Sequence, residues 1–92
     1  MKFAWDPAKA ASNLAAHRVS FSEAQRAFAD PQALVIFDAA HSTKRELRWW
    51  LLGKVDKRIM LVRYTHRANG TVRIIGAGYW RQGKELYENH WK

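Results

Sequence analysis

The dipeptide Asp30-Pro31 splits this chain into two stretches with different hydrophobic periods, and any fold must satisfy both. Before it, apolar residues recur at helical spacing; after it, they alternate or run together as they do in strands. The residue before a proline is driven out of the helical region, so the boundary is also a physical stop. Upstream, Met1 to Trp5 alternates as a short strand. Asp6-Pro7 then opens a helix, with Asp6 as N-cap and Pro7 in the first turn, where its missing N–H costs nothing. That helix runs to about His17 on Ala8, Ala10, Ala11, Leu14 and Ala15. Ser20-Phe21-Ser22-Glu23 is a capping box, which predicts a second short helix to about Phe28 with Phe21, Ala24 and Phe28 facing the core.

Downstream, Ala33–Phe37, Glu46–Gly53, Arg58–His66 and Thr71–Gly78 read as strands. Lys54–Lys57 makes one connection. Asn69-Gly70 makes the next, since Asn-Gly between two β-rich runs is a strong hairpin signal. Tyr79 or Trp80 to Trp91 reads as a last helix, weakened by Gly83. The expected order is β-α-α-β-β-β-β-α. This is an α+β fold, an antiparallel sheet with the helices packed on one side, in a single domain spanning residues 1–92.

Ninety-two residues, 48% hydrophobic and 26% charged, suit one modest core and exclude a disordered tail. Cysteine is absent, which rules out a disulfide framework, a thiol nucleophile and a Cys-based zinc site. The start of the chain has no apolar segment of signal-peptide type, and no run approaches the length of a membrane span. The expectation is a small soluble domain of a reduced, cytoplasmic compartment with no membrane association. The net charge is +8, and it is unevenly placed. Residues 1–40 carry four basic and four acidic side chains, whereas residues 41–92 carry twelve and four. A basic half on a small domain points to a polyanionic partner, nucleic acid or an acidic protein, with simple solubility as the alternative.

Asp6, Lys9, Asn13 and His17 fall along one stripe of the first helix, opposite Leu14. Asp6 is explained by capping. Lys9, Asn13 and His17 form either a solvated face or an edge that contacts phosphate. His41 sits in the polar loop between two strands, where an imidazole is suited to acid–base work or is simply exposed. The four histidines have no metal-ligand spacing, and neither a metal nor another cofactor is expected. Strand pleat puts Glu46, Arg48, Trp50 and Leu52 on one face, and Arg63 and Arg73 on the faces of Ile59 and Leu61 and of Ile75. Arg48, Arg63 and Arg73 then converge on phosphate, or a salt bridge to Glu46 holds Arg48 or Arg73.

These groups suit one metal-free reaction. RNA supplies its own nucleophile in the 2′-OH, so cleavage needs a base, an acid for the departing 5′-oxygen, and cations for the developing phosphorane charge. His41, Glu46 and His17 are the proton-transfer candidates; Lys9, Arg48 and Arg73 supply the electrostatics.

The ordered motifs Phe3-x-Trp5-Asp6-x-x-Lys9-Ala10-x-x-Asn13-x-x-x-His17-x-Val19-Ser20-Phe21-x-Glu23-Ala24, Phe28-x-Asp30-Pro31, Asp38-x-x-His41-Ser42 and Val72-Arg73-Ile74-Ile75 resemble the BrnT toxin family along nearly the whole chain. The resemblance implies a RelE-like α+β fold and a small basic bacterial toxin that cleaves mRNA and inhibits growth. It also implies neutralisation by a BrnA-like ribbon-helix-helix antitoxin, with promoter DNA bound only through the toxin–antitoxin complex. Catalytic roles fall on His41, Glu46, Arg48 and Arg73, and RNA contacts on Lys9, Asn13, His17, Arg63, Arg81 and Lys84. One departure stands out. Where the family commonly continues Arg-Ile-Ile-Ser-Ala-Arg, this chain has Arg73-Ile74-Ile75-Gly76-Ala77-Gly78, which removes a guanidinium at the strand end. Arg81 and Lys84 follow closely, and Trp80 is placed either to stack a base or to anchor the last helix. Two rival readings remain beside the ribonuclease: a family member that binds RNA or antitoxin without cleaving, and an unrelated basic nucleic-acid-binding module.

Overall fold

The computed structural model describes residues 1–92. Strand β1 is Lys2–Ala4, helix α1 Pro7–His17, helix α2 Phe21–Ala24, strand β2 Leu34–Phe37, strand β3 Arg48–Val55, strand β4 Arg58–His66, strand β5 Thr71–Gly78 and helix α3 Arg81–His90. The five strands form one sheet in the order β1-β5-β4-β3-β2. The expected α+β class and element order hold, as do the limits of β4 and β5.

The local signals act as their chemistry requires. Asp6 accepts from Ala8 N–H at 2.9 Å, and Ser20 Oγ accepts from Glu23 N–H at 2.9 Å. The second helix is shorter than expected: after Ala24 it tightens into a 3₁₀ segment, Gln25–Ala29, before Asp30 turns extended. Asp56-Lys57 closes the β3–β4 hairpin with Asp56 at φ 57, so β3 runs on to the buried Val55. The β4–β5 connection places Asn69 and Gly70 at φ 65 and 73, left-handed values that Asn and Gly tolerate best.

Two details of the expected architecture need correction. The sheet is mixed rather than antiparallel throughout, because β1 runs parallel to β5, pairing Lys2, Phe3 and Ala4 with Thr71, Val72 and Arg73. The helices also cover both faces. Val19, Phe21, Ala24 and Ala27 from the α1–α2 region bury Leu51, Met60, Val62, Tyr64, Val72 and Ile74 on one side. On the other, Tyr87 of α3 packs with Leu52, Ile59 and Leu61. Consecutive apolar residues in β3 and β4 present hydrophobic side chains to both faces, and each face needs a cover. Because α3 covers only the part of its face near the β3–β4 turn, the rest of that face is left without a helix.

Helix α1 is rotated relative to expectation. Leu14 is 51% exposed, whereas Asn13 is buried. The reason lies at β5. Strand β1 is three residues long and pairs no further than Arg73, so Ala77, which faces β4 on one side, has no strand along its outer edge. The Asn13 carboxamide fills that role: Oδ1 accepts from Ala77 N–H at 3.1 Å, and Nδ2 donates to the carbonyls of Ala77 and Val19 at 2.9 Å each. Satisfying a buried backbone pair outweighs burying one leucine. Asn13→Ala is therefore expected to cost about 2–3 kcal/mol in denaturant unfolding, whereas Lys9→Ala, on the exposed side, should stay within about 0.5 kcal/mol.

Asp30 joins three elements. Its carboxylate accepts from the backbone N–H groups of Gln32 and Lys54 at 2.9 and 2.8 Å and from the Tyr87 hydroxyl at 2.7 Å. Partial burial pushes its acidity the wrong way, but these three donors together prevail and hold the carboxyl below its ordinary range. Burial and the same contact push the Tyr87 phenol up to about 12. Since the folded value of Asp30 is depressed, its contribution is present above the unfolded value and is lost as pH falls through the folded one. Denaturant midpoints measured between about pH 5 and pH 2 should fall less steeply in Asp30→Asn than in the parent.

Candidate active site

The uncovered part of the sheet carries the polar residues. Across β3, β4 and β5 the register sets Arg48 opposite Thr65 and Thr65 opposite Arg73. The next row sets Trp50 opposite Arg63 and Arg63 opposite Gly76. A shift of one residue in the β4–β5 pairing between Arg63 and Tyr64 brings Gly76 rather than Ile75 opposite Arg63, while Arg63 and Thr65, two apart on β4, keep Arg63 on the face of Arg73. The three arginines expected to converge, Arg48, Arg63 and Arg73, do share a face.

One flank of this face is built by the segment after β2. Asp38 donates its N–H to the Arg48 carbonyl at 2.9 Å, and its carbonyl accepts from Ser42 Oγ at 2.7 Å. The same hydroxyl accepts from Arg48 N–H at 2.8 Å, so the loop is tied to the start of β3. The Asp38 side chain is buried and accepts from Trp50 Nε1 at 3.1 Å. His41 Nδ1 stands 2.9 and 3.1 Å from its two oxygens. A carboxylate in this position takes the Nδ1 proton as a hydrogen bond and so leaves Nε2 with its lone pair free. The His41 side chain is 54% exposed. The result is an imidazole fixed at one nitrogen and open at the other. Asp38 escaped the sequence reading as a functional residue because it sits at the end of a strand run, where an acid reads as a boundary; the spacing Asp38-x-x-His41 was its only signal.

Glu46 is not placed as a base. It accepts from Arg48 Nε at 2.7 Å and pairs with Arg67 at 3.3 Å. The Arg48 hydrogen bond, helped by the charges of Arg48 and Arg67 and only partly opposed by burial, holds its carboxyl below the ordinary glutamate value. The salt-bridge alternative is therefore realised for Arg48, and Glu46 fixes where that guanidinium lies. Arg63 and Arg73 have no carboxylate within ion-pair distance. Arg63 also has a buried Nε with no hydrogen-bond partner.

The two glycines of β5 explain how Arg63 and Trp80 lie. A Cβ at Gly76 would sit 2.9 Å from the Arg63 guanidinium, and one at Gly78 would sit 2.7 Å from the Trp80 ring. Arg63 rests over the first glycine and the Trp80 indole over the second. Trp80 also packs edge-to-face on His17, with ring centroids 4.9 Å apart. Of its two sequence readings, the anchoring one is met, and its outer side still borders a groove of about 250 Å³ with Trp50, Leu61, Arg63 and Gln82.

The remaining candidates lie apart from the Asp38–His41 flank. Lys9 and His17 line a shallow groove of about 230 Å³ along α1 beside Ile75. Asn13 borders the same groove, but its carboxamide is taken up by Val19 and Ala77, which corrects its reading as an RNA contact. Arg81 is exposed at the start of α3. Lys84 faces a third cavity, next to the β3–β4 turn. No three His, Asp or Glu side chains come together as a metal-ligand group. No helix is long and apolar enough to cross a membrane.

Comparison with known proteins agrees with this geometry. A solved structure of the Brucella abortus ribonuclease toxin BrnT shares the fold, with a TM-score of 0.68 and 24% identity over 89% of this chain and 99% of that one. At this identity the likeness carries the fold alone. No curated protein matches. Residues 5–84 match the family described as ribonuclease toxin, BrnT, of type II toxin-antitoxin system. The match runs from Trp5, just after β1, to the first turn of α3 and takes in every arginine of the open face and the Asp38–His41 pair: this chain belongs to the BrnT family of type II toxin–antitoxin ribonuclease toxins.

Proposed function

We propose that this protein cleaves RNA on the open sheet face by attack of the ribose 2′-OH on the adjacent phosphorus, without a metal. The observation that carries the reading is His41, held at Nδ1 by the buried Asp38 and open at Nε2, beside a face with two unpaired guanidinium groups. Nε2 takes the 2′-OH proton as the new P–O bond forms. The bond to the 5′-oxygen breaks, and that oxygen takes a proton from solvent. The products are a 2′,3′-cyclic phosphate and a 5′-hydroxyl. Arg73 and Arg63 stabilise charge on the phosphorane oxygens, Arg48 does so from the position Glu46 gives it, and Asp38 stabilises the imidazolium. The reading continues to the cell. The antitoxin that membership of a type II system implies is of the BrnA-like ribbon-helix-helix kind, promoter DNA is reached only through that complex, and the RNA target is cytoplasmic.

One observation favours a second reading, a toxin-family protein that binds RNA or antitoxin without cleaving. Gly78, where family members commonly carry a second arginine, is covered by Trp80 and supplies no cation. The reading of an unrelated nucleic-acid-binding module is set aside by the family match.

Purified protein incubated with unstructured RNA in EDTA separates the two readings. Cyclic-phosphate ends are expected; intact RNA at micromolar protein would leave the binding-only reading standing. His41→Ala should lower cleavage by about 10²–10⁴-fold. Asp38→Asn and Arg73→Ala should each lower it by at least about tenfold, with an unchanged thermal midpoint in His41→Ala and Arg73→Ala. Full growth inhibition by His41→Ala and Arg73→Ala would remove both residues from the site.

Lys9 is read as a peripheral phosphate contact along α1. Its replacement by Ala should weaken RNA binding and reduce the log–log salt slope by about 0.7, the single-strand value for one phosphate contact. An unchanged slope would return Lys9 to the solvated face.

A further inference from the structure

A cavity of about 450 Å³ lies away from Asp38 and His41, between the β3–β4 turn and α3. Lys54, Lys57, Arg58 and Lys84 line it, together with Tyr79, Trp80 and Tyr87; Glu88 is the one acidic group in its wall. None of the four cations is in an ion pair. The nearest acid of the turn, Asp56, is turned away and held by Arg26 at 2.6 Å. Asp30, behind Tyr87, is occupied by three donors. Like charges gathered in one concavity repel one another, and Glu88 and the attraction of Lys54 to Asp30 offset that repulsion only in part. Arg58 is moreover preset: its guanidinium stacks 3.7 Å from the centroid of the Tyr79 ring, which in turn is hydrogen-bonded to Glu23.

We infer that this cavity is a second RNA subsite, which takes the phosphates of a strand whose cleaved bond lies on the open face. The inference rests on the reading that the open face takes RNA, and continuity is what favours RNA over an acidic protein. Trp80 forms a wall of both this cavity and the groove holding Arg63, so a strand passing from one to the other crosses a single aromatic ring, on which a base can stack. Strand β4 carries Arg58 at its first residue and Arg63 five residues on, about 17 Å of backbone rise. The odd separation leaves Arg58 on the Tyr79 side of the strand and Arg63 on the open face, so the path turns around the end of the sheet at Trp80. A chain of several nucleotides spans that distance, and a dinucleotide does not. Lys57 and Arg58 grip phosphate here, Lys84 adds charge from α3, and the exposed side of Trp80 offers a ring for stacking between the two sites.

The test uses 2′-O-methyl RNA, which has no nucleophile and so reports binding whether or not the protein cleaves. A dinucleotide, too short to span the two sites, and an oligonucleotide of about 12 residues, within the site sizes of single-strand binders, are titrated by fluorescence anisotropy at several salt concentrations. In Lys57→Gln/Arg58→Gln, the affinity for the longer strand should fall about tenfold at low salt, and its salt slope should fall by about 1.4, two single-strand phosphate contacts. The shorter strand should bind as it does to the parent. Arg58→Lys, which keeps the charge, should restore half or more of the lost slope. An unchanged slope for the longer strand overturns the inference, as does equal weakening of both strands. If the double variant loses neutralisation by its antitoxin while the RNA slope stays the same, the cavity belongs to an acidic protein segment and the RNA subsite is wrong. A protein that fails to cleave ordinary RNA but retains the length-dependent slope loses the catalytic reading and keeps this one.

Discussion

The contact of the Asn13 carboxamide with Ala77 decides how the halves of this molecule meet. Strand β1 is too short to cover the outer edge of β5 beyond Arg73, and Ala77 would otherwise have its N–H and carbonyl buried without partners. One asparagine side chain does what a neighbouring strand would do: it donates to the carbonyl and accepts from the N–H. In doing so it sets the rotation of α1, places Lys9 and His17 along the same edge, and brings His17 against Trp80. The stripe that sequence spacing suggests as a single polar face is thus divided by the fold into one buried clamp and two exposed side chains.

The open face depends on a similar division among its acids. Asp38 and Glu46 are the two carboxylates close to it, and each is committed, Asp38 to His41 and Trp50, Glu46 to Arg48 and Arg67. Because both are taken, Arg63 and Arg73 are left unneutralised where β4 and β5 run side by side. The glycines of β5 contribute by omission. Their lack of side chains lets Arg63 and Trp80 lie flat on the strand, so this part of the face draws its cation from β4.

Much of the framework could be read from local chemistry. The caps at Asp6 and Ser20, the stop at Asp30-Pro31, the hairpin at Asn69-Gly70 and the sorting of Arg48, Arg63 and Arg73 to one face each follow from neighbours within a few residues. What could not be read depends on partners far along the chain. The parallel pairing of β1 joins residues about seventy positions apart. The placement of α3 on the second face follows from which surface the other helices left uncovered. Asp38 becomes a positioning group only once Trp50 and His41 have been folded against it.

The sequence by itself determined the period of each element, the strand faces, the family, and the concentration of charge in residues 41–92, because all of these reside in residue order and composition. Only the tertiary structure decided which charges remain free. Glu46 could have neutralised Arg48 or Arg73, Asn13 could have faced water, and Lys57 and Arg58 could have met Asp56. Those choices are made by three-dimensional proximity and by the demand that buried polar groups find partners. The surplus cations left by that process, on the open face and beside the β3–β4 turn, are where a polyanion would be held.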